Sequence, residues 1–186
     1  MFKTIAISAA LALASFGSAN AATIVFTATP LTDVANQAAD SFSGTYAENV
    51  TDSIGGVRRS IWEGTALNGI GVFTSITGSA TYSFVRSSVL KFIWGSPDAY
   101  NAIDFYNNGV FVETVTVGGP YGLNVPNSFA SITTVGLFDE AVFKSGTPAF
   151  EIGNLTSVAA VPLPAAGFLL LGALGGISAL RRRKAG

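Results

Sequence analysis

The chain has 186 residues, of which 49% are hydrophobic and 11% charged, and its formal net charge is −1. That composition excludes a disordered chain and fits one domain with apolar appendages. The absence of cysteine and histidine excludes disulfide frameworks, Cys/His zinc sites and Ser-His-Asp triads.

The charge is unevenly spread. Lys3 lies at the N-terminus and Arg181, Arg182, Arg183 and Lys184 at the C-terminus, so the stretch between them holds five basic residues against all eleven acids. An acidic middle has the wrong sign for a phosphate backbone, and nucleic acid is not an expected partner.

Residues 1–21 run from Lys3 through an apolar stretch at 5–16 to the small residues Ala19-Asn20-Ala21. This pattern predicts a secretory signal peptide, with Ala19 and Ala21 at −3 and −1 of the cut made by signal peptidase. Export to an oxidising compartment would permit disulfides, so the domain must be stable without them.

The folded part is expected over residues 22–157, and helical periodicity is scarce there. Short β-branched and aromatic runs separated by Gly, Ser, Thr and Asn predict an all-β domain, a β-sandwich. In chain order the strands are expected at 23–29, 41–46, 71–76 and 79–85, the last two separated by a turn at Thr77-Gly78. Residues 89–94 alternate, with Leu90, Phe92 and Trp94 on the core face and Val89, Lys91 and Ile93 on the other. Asn107-Asn108-Gly109 joins strands at 102–106 and 110–117 and predicts a tight hairpin. Two further strands, at 141–144 and 149–152, close the domain. The region 33–69 gives the weakest pattern, with loops expected at 49–56 and 66–71.

Residues 158–164 form a linker. The charge-free run at 165–180 is followed at once by the basic tail at 181–186. The run predicts a short transmembrane helix, and the Arg181-Arg182-Arg183-Lys184 cluster places its C-terminal end in the cytoplasm, with the domain across the membrane. Pro162 and Pro164 keep the preceding segment extended, which suits a protease at the membrane surface.

Val161-Pro162-Leu163-Pro164-Ala165, the Gly-interrupted helix and the basic cluster, in that order, resemble the PEP-CTERM class of bacterial sorting signals in its V-P-L-P-A variant. The resemblance implies an exosortase as partner, a membrane-embedded cysteine transpeptidase-like enzyme that cuts near the motif. It also implies a cell-surface or extracellular protein associated with exopolysaccharide and biofilm. Leu163 stands where the commonest form of the motif has glutamate.

Residues 92–109, with Phe92-Ile93-Trp94-Gly95-Ser96-Pro97-Asp98-Ala99-Tyr100-Asn101 at their start, resemble a family of exosortase-dependent surface proteins. So do Phe143, Ser145, Ala149-Phe150-Glu151 and Asn154, although this chain has Gly153 where the family often carries aspartate. The family is similar in outline to galactose-binding-like jelly rolls.

For chemistry, the candidate cluster is Asp98, Tyr100, Asn101 and Asp104, joined by Glu151 and Asn154. Carboxylates and amides on a loop suit Ca²⁺, which takes six to eight oxygens. The competing reading is turn chemistry, in which Asp98 and Asn101 cap backbone N–H groups and Tyr100 packs its ring. Trp62, Trp94, Tyr100, Tyr106 and Tyr121 are candidates for a sugar-stacking platform, Trp94 being expected in the core. Arg58-Arg59 and Asp139-Glu140 are expected to be solvated pairs. Asn49-Val50-Thr51 and Asn154-Leu155-Thr156 match the N-glycosylation pattern, which carries little meaning in a bacterium. The domain is expected to be a structural or binding module and not an enzyme, with a carbohydrate-binding, lectin-like module as the alternative and a secreted hydrolase as a distant one.

Overall fold

The computed structural model describes residues 21–28, 32–116 and 127–160. The predicted signal peptide, sorting motif, membrane helix and basic tail, and Tyr121, lie outside the described residues. Six strands occur among them: β1 (Thr23–Thr27), β2 (Ser41–Val50), β3 (Phe73–Trp94), β4 (Asn101–Asn107), β5 (Val110–Thr116) and β6 (Ser128–Ala159). They form one antiparallel sheet in the order β2-β3-β6-β4-β5, with β1 also paired to β6. The fold is all-β, with no helix among the described residues.

The two long strands dictate the architecture. Extended at about 3.3 Å per residue, β3 and β6 would reach roughly 70 and 100 Å, far beyond the width of a domain this size. They bend instead. Residues 78–83 of β3 pair with 140–145 of β6, whereas 89–94 pair on one side with 128–133 and on the other with 152–158. The sheet therefore folds over on itself. Phe92, whose strand partner is Ala130, meets Phe143, whose partner is Ala80, with ring centroids 5.4 Å apart at 81°.

The core between the facing halves is aromatic. Trp94 stacks on Phe150 at 4.7 Å, and Tyr82 meets Phe143 edge-on at 5.4 Å. Leu90, Phe92 and Trp94 are fully buried, as their alternation predicts. Ile93 departs from that pattern. It too is fully buried, because Ile61, Trp62 and Phe73 form a second apolar cluster on the other face of β3. The strand is thus covered on both sides near its end.

Thr77-Gly78 is not a turn. The two strands expected at 71–76 and 79–85 are one continuous β3 with a register irregularity between Ile76 and Gly78. Gly78 faces Gly44 on β2, both with positive φ (106° and 90°), and a Cβ on Gly78 would lie 2.1 Å from the Ser43 carbonyl oxygen. The glycine serves a close backbone approach within the sheet, not a chain reversal.

The hairpin at Asn108-Gly109 forms as expected, with φ of 49° and 73° and Asn107 paired to Val110. The Asn108 N–H donates to both oxygens of Asp139 at 3.0 Å, so Asp139 caps this turn instead of standing in a merely solvated pair. The short strands expected at 141–144 and 149–152 are segments of β6. β2 runs on to Val50, past the expected loop start, and residues 51–72 form a long connection with one isolated bridge, Ile54 to Arg58.

Candidate functional site

An open cleft of about 320 Å³ lies where three segments meet: residues 53–59 of the long connection, the loop at 96–100, and residues 148–151 of β6. Each wall has a local cause. Gly55-Gly56, with Gly56 at φ 71°, turns the chain between the bridged Ile54 and Arg58. Ile61 and Trp62 bury just after that turn and hold it against the sheet, and Trp62 Nε1–H donates to the Val72 carbonyl at 3.1 Å. Gly95 lets the second loop pass close to β6, since a Cβ there would lie 2.8 Å from Glu151 Cβ.

Glu151 lies on the floor of the cleft and is 2% exposed. Its Oε1 accepts the Arg59 backbone N–H at 2.9 Å. Its Oε2 is buried with no hydrogen-bond partner among the described residues. Burial pushes the carboxyl above the usual carboxylate range; the Arg59 N–H and the Ser96 hydroxyl pull the other way, and the charge of Asp98 adds to the rise.

Asp98 accepts the Tyr100 hydroxyl at 2.7 Å. Tyr100, 41% exposed, offers ring surface to the cleft, and its own hydroxyl is held above the usual phenol range by partial burial and by Asp98. Two arginines also line the cleft. Arg58 pairs with Asp52 at 2.7 Å and Arg59 pairs with Glu63. Arg58 is not simply solvent-facing as the sequence suggests, because its side chain is only 17% exposed.

The candidate cluster read from sequence divides. Asp98, Tyr100 and Glu151 share the cleft, whereas Asn101, Asp104 and Asn154 are not among its lining residues. Asn101 is buried turn chemistry: its N–H donates to the Asp98 carbonyl, its Nδ2 to the Ser96 carbonyl at 2.7 Å, and its Oδ1 accepts the Ser145 hydroxyl at 2.9 Å. Asp104 pairs with Lys144 and accepts the Thr114 hydroxyl at 2.7 Å, across β4, β5 and β6. Asn154 pins the segment before β2, accepting from the Val34 N–H and donating to the Thr32 carbonyl. Among the described residues no group of three or more acidic side chains is placed to hold a metal ion. Three carboxylates line the cleft, and with Glu63 paired to Arg59, Asp98 and Glu151 are the two left to offer a cation.

The aromatic candidates divide as well. Trp94 is core. Trp62 is also fully buried, which removes it from any stacking platform: the irregular segment around it carries no periodicity to reveal that it packs on β3. Tyr106 is half-buried and meets Phe111 edge-on at 5.8 Å, leaving Tyr100 as the ring in the cleft. The sequence places a loop at 49–56, Arg58-Arg59 in solvent and Ala149 in a strand, but carries no signal that these segments meet in one cleft. No family model, curated protein or solved structure matches the chain.

Proposed function

We propose that the chain is an exported, exosortase-processed bacterial surface or extracellular-matrix protein whose domain, a β-sandwich of jelly-roll type, works as a structural or binding module in an exopolysaccharide setting. The observation that carries this reading is the order Val161-Pro162-Leu163-Pro164-Ala165, charge-free run, Arg181-Arg182-Arg183-Lys184. The folded-over antiparallel sheet with its aromatic core is consistent with the sandwich, and a cleft built from two loops and a strand is consistent with binding.

The test is the intact mass and fractionation of the protein in its host, with and without the exosortase gene, beside a Pro162→Ala/Pro164→Ala variant. The expected result is loss of the residues beyond about Pro164 only in the strain with exosortase and only for the unaltered motif. A C-terminus retained in every strain makes it a plain anchor and overturns the sorting reading.

The cleft favours a second reading, a carbohydrate-binding, lectin-like module. An exposed tyrosine ring beside two carboxylates is the arrangement that stacks on a sugar's apolar face while binding its polar groups. Ca²⁺ held by Asp98 and Glu151 is the cofactor this reading admits, and a melting curve unchanged between excess calcium and excess chelator would remove it.

A further inference from the structure

The charges around the cleft do not cancel evenly. Arg58 is paired with Asp52 and Arg59 with Glu63, so both nearby cations are committed. Asp98 and Glu151 are left facing the cleft beside neutral donors alone, the Tyr100 hydroxyl for Asp98 and the Arg59 amide and Ser96 hydroxyl for Glu151. Neither carboxylate has a cationic partner among the described residues. Glu151 Oε2, in a side chain 98% buried by its 2% exposure, has no hydrogen bond there at all. A buried carboxylate oxygen without a donor is costly, and a ligand that brings both a donor and a positive charge relieves that cost.

Three ligand classes meet these conditions unequally. A neutral sugar supplies hydroxyl donors and leaves both charges uncompensated. A calcium ion needs six to eight oxygens, and Glu63, the third acidic residue lining the cleft, is paired with Arg59, so no group of three carboxylates among the described residues is placed to hold a metal. A primary ammonium brings three donors and one charge, and the face of an adjacent tyrosine attracts it further. The volume of about 320 Å³ lies at the small end for ligand clefts, the size of a sugar residue and not of a long chain.

We propose that this cleft binds an amino sugar, its primary ammonium group bonded to the Glu151 and Asp98 carboxylates and its ring laid against Tyr100. The proposal rests on the carbohydrate-binding reading and narrows it to a cationic saccharide. The Glu151 carboxylate is the anchor, Asp98 the second acceptor, and Tyr100 both orients Asp98 and provides the stacking face.

The experiment is saturation-transfer NMR and calorimetry on the full chain in detergent, with D-glucosamine, N-acetyl-D-glucosamine, D-glucose and Nα-acetyl-lysine amide as probes. D-Glucosamine is expected to bind about tenfold more tightly than its N-acetyl form, the size of one charge-assisted hydrogen bond. Glu151→Gln keeps the acceptor for the Arg59 N–H, so it preserves the fold and is expected to abolish that tenfold preference. Tyr100→Ala, at an exposed position, is expected to weaken every sugar, and Tyr106→Ala none.

Equal binding of D-glucosamine and its N-acetyl form, unaffected by Glu151→Gln, overturns the ammonium assignment while leaving the carbohydrate reading standing. Binding of Nα-acetyl-lysine amide as tight as that of D-glucosamine overturns the saccharide assignment. Binding of none of the probes overturns both.

Discussion

Replacing Trp62 tests whether the second apolar cluster holds the long connection to the sheet. The side chain is fully buried, packs with Ile61, Phe73 and Ile93, and donates its indole N–H to the Val72 carbonyl. It also lies directly on Gly71, whose added Cβ would come within 2.6 Å of Nε1, so the ring fills its site closely. Trp62→Ala therefore combines lost transfer energy with a cavity that the neighbours cannot easily fill, at about 4 kcal/mol. Trp62→Phe keeps most of the apolar contact and loses the hydrogen bond, at about 1–2 kcal/mol. At roughly 4 °C per kcal/mol for a domain of this size, the alanine variant should melt about 15 °C lower and the phenylalanine variant about 6 °C lower. Near-ultraviolet circular dichroism of the full chain in detergent, heated through the transition, reads both. An alanine variant melting within about 2 °C of the parent would refute the view that this cluster is part of the cooperative fold.

Two glycines with positive φ should respond differently to the same change. Gly78→Ala places a Cβ 2.1 Å from the Ser43 oxygen at φ 106°, whereas Gly109→Ala at φ 73° meets nothing within 4 Å. Urea unfolding should show a loss of about 3 kcal/mol or more for the first and about 1 kcal/mol for the second. Glu151 should make stability pH-dependent. Its carboxyl is raised in the folded state, so the native protein holds a proton that the unfolded chain releases, and stability falls as pH rises from the unfolded value through the folded one. Urea midpoints for Glu151→Gln, which cannot ionise, should match the parent at low pH and exceed it at neutral pH; an equal offset at both would contradict the assignment.

What the sequence revealed followed from how local each signal was. Residues 89–94 disclosed their core face because Leu90, Phe92 and Trp94 recur with the pleat, and Asn108-Gly109 disclosed the hairpin because its conformation is set within two residues. Thr77-Gly78 misled because a glycine beside a polar residue looks the same at a turn and at a close strand crossing. Only the partner, Gly44, distinguishes the two. The cleft was half legible. Asp98 and Tyr100 announced themselves on a loop after a strand, and Glu151 entered through the Ala149-Phe150-Glu151 segment near the domain's end. The opposite wall at 53–59 reaches Glu151 through one hydrogen bond, Arg59 N–H to Oε1, across 92 residues. Neither a spacing nor a periodicity encodes that contact.

Gly153 links the sheet to this wall. The glycine has a physical reason here: a Cβ at Gly153 would lie 2.1 Å from Ile61 Cδ1. Ile61 is fully buried and its Cγ2 also lies 2.8 Å from the Cβ position of Gly95, so its methyl groups are confined between two glycines. Gly153→Ala alone overpacks this site and should cost about 2 kcal/mol. Ile61→Ala alone opens a cavity and should cost about 3 kcal/mol. In the double variant the added methyl enters the space that the removed side chain vacates, so the total should fall short of the separate losses by about 1–2 kcal/mol. Urea unfolding of the four proteins closes the cycle. Losses that simply add would mean that Ile61 moves aside freely, and that the connection carrying the Arg59 amide to Glu151 is not held in place by this contact.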